Sequence, residues 1–435
     1  MMDYLQWILQ LPVPAGLTAT LLLVRLISPL AIRIGLVDVP DQRKRHDGAV
    51  PLAGGIALTL AYFLLAFVVL PQGAMFAGFA ICIGILVVVG LLDDFGGLRP
   101  GVRLVAQFGV AGLLIFASDV RIESLGNLLG NGEILLPPVA GTLVTAFCVV
   151  SVINGLNMID GLDGLAGGTA SIMLAVFVFV AFLSKASAVA AHFSVLLACL
   201  LGFLVFHNFR SPLRRRLVFL GDAGSMVLGF SLAWIAIVLA GQPGDGMYPV
   251  SAVWILGLIV LDTVATVFRR LLTRRNPLSA GRDHLHHLLL ELGCTPQQSV
   301  VILLSIAAAM AAIGVAGWQY GLPEVQLAGA FVLVAIVYFV VVNAGWHAVF
   351  RRGATRPPVL VTPQGVLPAH QTHEPIASVI AGRKHDESNG AGRMKAGERI
   401  SAVQETLRET AMNNAAGSAR TTGSLQGASK AVSKA

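Results

Sequence analysis

Apolar runs separated by short polar or glycine-rich breaks fill the chain from residue 7 to about residue 347. They fall near 7–32, 51–70, 74–92, 102–118, 138–154, 166–184, 187–206, 221–241, 250–271, 298–317 and 325–347. About 20 apolar residues in a helix cross the roughly 30 Å hydrocarbon layer, so each run is a candidate span. The pattern predicts an all-α polytopic membrane protein with about eleven transmembrane helices, residues 1–350 forming the embedded domain. The stretch 351–435 is rich in Ala, Gly, Ser, Thr and charge and nearly lacks aromatics, which predicts a largely disordered tail.

Composition agrees: 56% of residues are hydrophobic and only 12% charged, against about 25% charged in a soluble domain. The net charge of +7 could suggest nucleic acid as a partner. However, 351–435 alone holds twelve Lys/Arg and six Asp/Glu, which accounts for nearly all of it. No nucleic-acid surface is expected in the remainder.

Basic residues elsewhere orient the chain. With the N-terminus outside, the inner loops receive Arg43, Lys44, Arg45, Arg99, Arg103, Arg210, Arg214–Arg216, Arg269, Arg270, Arg274, Arg275 and Arg282. Only Arg121 and Lys185 fall outside, so the C-terminus is expected inside. The outer segment near 122–136 should form a small hairpin, with Asn131-Gly132 as its turn signal. Cys82, Cys148, Cys199 and Cys294 show no metal-type spacing, and no disulfides are expected. The first basic residue, Arg25, follows the first apolar run, so no cleaved signal is expected.

Every polar constellation falls on the predicted inner face. Asn154 to Gly168 reads NGLNMIDGLDGLAGG, and carboxylates beside a bilayer are costly unless they have a function. Asn157, Asp160 and Asp163 are spaced by threes and would share a face of a helix or tight turn. Such hard oxygen donors suit Mg²⁺ held together with phosphates. The bland alternative is a glycine-rich hinge. Asp93-Asp94 ends the third run as a metal-assisted or general-base site, or as a solvated helix end. Asp222 in FLGDAGS either caps the eighth span or holds metal. Asp262, a single acid near the inner end of the ninth run, could pair structurally with Arg269 or Arg270. In RDHLHHLLL, a helix following Gly281 would put His284 and His287 on one face and turn His286 elsewhere. With Arg282 these histidines suit a diphosphate better than zinc, since no HExxH pattern or thiolate is present. A surface amphipathic helix with incidental histidines is the alternative. The Arg43-Lys44-Arg45-His46 loop reads first as a topology signal, and next to a phosphate site it would also steer anions.

Together GLVDVPDQRKRHDGAVPLAGG, LLDDFGG, INGLNMIDGLDGLAGG, FLGDAGS and RDHLHHLLL resemble the polyprenyl-phosphate N-acetylhexosamine-1-phosphate transferases. The likeness runs from residue 35 to about 345. Its His-Leu-His-His block is closer to the branch that starts O-antigen and enterobacterial common antigen synthesis. The peptidoglycan branch has three consecutive histidines there. The resemblance implies a multi-pass bacterial inner-membrane enzyme with its site on the cytoplasmic face. UDP-N-acetylhexosamine, most simply the GlcNAc form, and undecaprenyl phosphate would react with Mg²⁺, or Mn²⁺ in its place, releasing UMP. A homodimer is left open. By the same resemblance Asp93, Asp94 and Asp222 would be catalytic, and Asn157 and Asp222 would hold the metal. Lys44, Arg103, Asn154, Asp160, Asp163, Arg282, His284, His286 and His287 would contact substrate. The other class considered is a secondary transporter of an anionic solute. It would need inverted repeats and acids near the midplane, and neither is visible.

Overall fold

The computed structural model describes residues 10–38, 49–70, 72–118, 120–207, 218–241, 246–276, 281, 283–355, 359–362 and 365–368. The protein is an all-α polytopic membrane protein. Its helices are α1 (Pro12–Arg33), α2 (Gly54–Val68), α3 (Ala74–Gly96), α4 (Pro100–Ser118), α5 (Pro138–Ile159), α6 (Leu165–Leu183) and α7 (Ser187–His207), followed by α8 (Gly221–Ala240), α9 (Pro249–Ile255), α10 (Gly257–Leu272), α11 (Leu285–Glu291), α12 (Pro296–Gln319) and α13 (Glu324–Thr355). Proline opens α1, α4, α5, α9 and α12, at the position where a missing N–H costs nothing. Thr295 and Gln298 add a reciprocal capping box to α12. Residues 1–353 form one compact unit and 354–435 a second. In the second, β3 (Val359–Thr362) and β4 (Gly365–Pro368) pair antiparallel.

Among the described residues nine helices are long and apolar enough to cross a bilayer. Two of the eleven expected spans differ. The run near 51–70 forms only the 15-residue α2, and 250–271 is broken into α9 and α10, which meet at 80°. Close packing accompanies the break: a Cβ on Gly257 would lie 2.3 Å from Met310 Cε on α12.

Helix α8 is the most buried of the long helices. It packs between α3, α5 and α2, where glycines remove the side chain from each crossing. A Cβ on Gly90 would stand 2.3 Å from Ala223 Cα, and one on Gly55 equally close to Gly224 Cα. Such small-residue contacts substitute for the hydrophobic drive that lipid cannot supply.

The hairpin is present, but its turn is not the expected two-residue one. Leu125 and Ile134 are backbone-bonded, Ser124 bridges Leu135, and the reversal is spread over the residues between. Gly126, Gly130 and Gly132 take the left-handed conformation while Asn131 does not, so Asn131-Gly132 cannot form a type I′ turn. Asn127 Oδ1 instead accepts from Gly132 N across the loop. A cavity of about 870 Å³ lies against this hairpin, at the other end of α5 from the polar cluster described next.

Candidate active site

The site begins with a backbone clamp. The ribbon β1 (Val37–Asp38) and β2 (Val50–Pro51) leads into α2, and Pro51 O accepts from Phe219 N at 2.9 Å. Gly54 N and Gly55 N donate to Phe219 O and Leu220 O, each at 2.9 Å. The PLAGG stretch therefore holds FLGD in place. Gly221 turns the chain with φ +72°, and a Cβ there would stand 2.8 Å from Asp94 Oδ2.

Asp94 caps α8. Its Oδ1 accepts from Asp222 N at 2.8 Å and its Oδ2 from Ala223 N at 3.3 Å. The α8 N-cap residue, Leu220, offers no capping side chain. The sequence allows Asp222 to cap its own helix, but a neighbouring helix supplies the anion, so the Asp222 carboxylate is available for other contacts. A helix start without its cap loses about 1 kcal/mol, and more where the amides are buried. Asp94→Ala is therefore expected to lower the thermal midpoint of the detergent-purified protein by several degrees. Asp94→Asn, which keeps an acceptor oxygen, should lower it less.

Asp93 is buried and ties the α3–α4 turn. Its Oδ1 accepts from Leu98 N at 2.7 Å, and Arg103 Nη1 lies 2.7 Å from its Oδ2. Arg103 Nη2 also donates to Asn157 Oδ1 at 3.0 Å. Asn157 Nδ2 in turn donates to Asp222 Oδ1 at 2.5 Å and Ser225 Oγ at 2.9 Å. Residues from α3, α4, α5 and α8 thus form one network at one end of the bundle. Asp93, Asp94 and Asp222 repel one another through space. Three carboxylates around one guanidinium carry excess negative charge unless a further cation or protons join them.

The expected row Asn157, Asp160, Asp163 is not continuous. Helix α5 ends at Ile159, leaving exposed Asp160 as its C-cap and half-buried Asp163 in the turn before α6. Asn154 lies one turn before Asn157 and donates to Gln107 Oε1 at 2.6 Å. Gln107 belongs to none of the sequence motifs, and this second polar layer is not foreseeable from them. Ser225 is also outside the expected set, although its place in FLGDAGS is a signal that could have found it.

The histidine block is arranged differently from expectation. His284 is the N-cap of α11 with extended backbone, so the helical period starts after it. The His284 and His286 rings lie parallel, at 4° with centroids 5.9 Å apart, instead of His284 sharing a face with His287. His287 is half-buried beside His286, at 4.1 Å between ring centroids. Among the described residues Asp262 forms no ion pair with arginine. Its Oδ2 meets His284 Nδ1 at 2.8 Å, and its Oδ1 accepts from Leu285 N at 2.9 Å and Tyr338 OH at 3.0 Å. Arg269 and Arg270 both engage Asp283. Lys44 and Arg282 lie outside the described residues.

His286 buries both ring nitrogens without hydrogen-bond partners and presses on the turn after α5, where a Cβ on Gly161 would lie 2.3 Å from its Nε2. Burial, and then the neighbouring His287, lower its pKa from 6.5 to about 3. The unfolded chain therefore takes up a proton near pH 6.5 that the folded chain refuses until about pH 3. Acidification from pH 7 to 5 should destabilise the protein, by at most about 1.4 kcal/mol per pH unit below 6.5. Thermal midpoints measured across that range should fall, and His286→Leu should flatten the slope.

A family model described as Glycosyl transferase family 4 matches residues 76–240, from α3 through α8. Three relatives carry the name undecaprenyl-phosphate alpha-N-acetylglucosaminyl 1-phosphate transferase. That of Salmonella typhi is 33% identical over 331 residues, 75% of this chain and 89% of the relative. That of Escherichia coli (strain K12) is 32% identical over 321 residues, 73% and 86%. That of Haemophilus influenzae is 33% identical over 338 residues, 76% and 92%. The chain belongs to glycosyl transferase family 4. Its polyprenyl-phosphate N-acetylhexosamine-1-phosphate transferase branch is the one that the sequence motifs resemble.

In this family 4 chain, among the described residues, no three His, Cys, Asp or Glu side chains form a closed metal cage. The oxygen donors fit Mg²⁺ in its usual mode, one or two carboxylates completed by water and phosphate. Asp222 suits this role better than Asn157, whose oxygen accepts from Arg103 and whose amide donates to Asp222 and Ser225.

Proposed function

We propose that the protein transfers GlcNAc-1-phosphate from UDP-GlcNAc to undecaprenyl phosphate, releasing UMP, as the first step of a lipid-linked envelope polysaccharide. The single observation that carries this is the Asp93–Arg103–Asn157–Asp222 network, with Asp94 holding α8 in register beneath it. A lipid phosphate oxygen attacks the β-phosphorus, and the bond to the α-phosphate oxygen breaks. Both substrates are anions, and the residues that meet them are acidic. A divalent cation reconciles the two: bound Mg²⁺ would neutralise diphosphate charge as it shifts to the leaving UMP. Asp222, with Asp93 beside it, would hold that ion. Arg103 donates two N–H directions and is placed to exchange Asn157 for a phosphate oxygen. Asp160 and Asp163, on the turn after α5, would line the nucleotide-sugar side, and Asn154 with Gln107 would support Asn157 from below. The phosphate monoester is already a competent nucleophile near neutral pH, so no strong base is required.

The positive-inside bias supports a cytoplasmic position for this end of the bundle. There a soluble nucleotide sugar and a membrane-bound lipid phosphate can meet. The transporter reading is not favoured, since Asp93, Asp94 and Asp222 lie at the ends of their helices and not near the middle.

The test is turnover of purified protein with undecaprenyl phosphate and a panel of radiolabelled UDP-sugars. UMP and a labelled lipid diphosphate should appear with UDP-GlcNAc. Chelation of Mg²⁺ should stop turnover, and added Mg²⁺ should restore it. Release of UMP unaffected by chelation would remove the metal from the scheme.

A further inference from the structure

Resting on the transferase reading above, we propose that Asp262 is a positioning residue. It accepts the Nδ1 proton of His284 and so fixes the angle of the ring, with Nε2 turned toward the diphosphate of the nucleotide sugar.

Asp262 is 5% exposed, on the apolar helix α10, where an unpaired carboxylate would be costly. Arg269 and Arg270 lie on the same helix within two turns or so, yet both are committed to Asp283, and Arg269 also stacks over Trp346 at 5.2 Å. The partner of Asp262 is His284, supported by Leu285 N and Tyr338 OH on the other carboxylate oxygen. Three donors from two helices and a loop all serve one acid, and they set the angle at which His284 leaves α11.

A carboxylate on Nδ1 fixes which ring nitrogen it holds and the orientation of the ring. Nε2 is then the nitrogen left for a ligand. It has no hydrogen-bond partner among the described residues and is not one of the sealed unpartnered atoms. The His286 ring, parallel to His284 and wedged on Gly161, ties this histidine to the turn that directly follows Asn157 and Asp160. A ring held at this angle would face the phosphate on which negative charge grows. Among the described residues, the titratable and charged groups around the pair are Arg269 and Arg270 on α10, Tyr338 on α13, and Asp283, His286 and His287 next to His284.

The experiment uses full-length protein in nanodiscs, with ¹⁵N-labelled histidine, UDP-GlcNAc and undecaprenyl phosphate. In wild type, the ring signals lost in His284→Gln should report a protonated Nδ1 engaged with a carboxylate. Asp262→Asn should shift them. For the same variant kcat/KM for UDP-GlcNAc should fall about 10–100-fold, the usual loss when an orienting partner of a histidine is removed. Asp262→Glu should recover part of the loss. In a His284→Gln background Asp262→Asn should cost almost nothing further. Tyr338→Phe, which leaves the His284 contact in place, should stay within about threefold of wild type.

Equal losses from Asp262→Asn with and without His284, or ring signals unchanged by Asp262→Asn, would overturn the proposal. A Tyr338→Phe loss as large as that of Asp262→Asn would reduce the cluster to a structural one. Absence of UMP release by wild type would count against the transferase reading alone, because the ring signals still judge the Asp262–His284 pairing.

Discussion

Asp222→Asn is expected to lower turnover by roughly three decades or more while leaving the folded protein as stable as before. The second half of that expectation comes from the cap geometry. Asp94, not Asp222, accepts the first amides of α8, so neutralising Asp222 removes no cap. The substituted amide would still present an oxygen to Asn157 Nδ2, and repulsion with Asp93 and Asp94 would ease. The first half comes from charge. If Asp222 holds the divalent ion against the diphosphate, its loss removes several kcal/mol of stabilisation from the transition state, at about 1.4 kcal/mol per decade. UMP release and the thermal midpoint, measured on one preparation, decide the matter. Turnover within tenfold of wild type would take Asp222 out of the chemistry. A collapse of the midpoint would make its role structural.

That separation of roles cannot be read from the sequence. Asp93, Asp94, Asn157 and Asp222 are recognisable because polar atoms in an oily chain stand out, and their order gives away the family. Which carboxylate caps α8 and which is left for a ligand depends on the approach of α3 to α8, a contact between residues more than a hundred positions apart. The same holds for Asp262. Sequence proximity points to Arg269 and Arg270, about two turns away on the same helix, whereas His284 reaches it only after the chain reverses through the loop. His284 and His286 share a side because the helix starts at Leu285, and a boundary error of one or two residues is enough to reverse that prediction. The apolar spans are legible because their length is imposed by the bilayer. The 80° break between α9 and α10 is not, since no proline marks it and the packing that accompanies it, Gly257 against Met310 of α12, joins residues more than fifty positions apart. PLAGG offers no side-chain chemistry to read, and its contribution is made by backbone atoms.

The largest structural effect is expected from Gly90→Val. A Cβ at this position would lie 2.3 Å from Ala223 Cα and 2.5 Å from Ala223 N, and backbone atoms cannot turn aside as a flexible side chain does. The two helices would have to part. Overpacking a core commonly costs about 1–3 kcal/mol, and more where backbone must move. Here the displacement also reaches function. Gly90 is one turn before Asp94 on α3, and Ala223 is one of the two residues whose amides Asp94 caps. Parting α3 from α8 at Gly90 therefore draws the cap away from Asp222 at the same time. Gly84 supplies the control, because it lies in the same helix and a Cβ added there would meet nothing within 4 Å. Intrinsic helix propensity slightly favours valine over glycine at both sites, so propensity alone predicts no loss in either variant. Gly84→Val should purify as a monodisperse, active protein, and Gly90→Val should aggregate or melt well below wild type with no UMP release. Matching midpoints for the two variants would mean that α3 and α8 do not cross this closely, and the placement of Asp94 over the start of α8 would fall with that crossing.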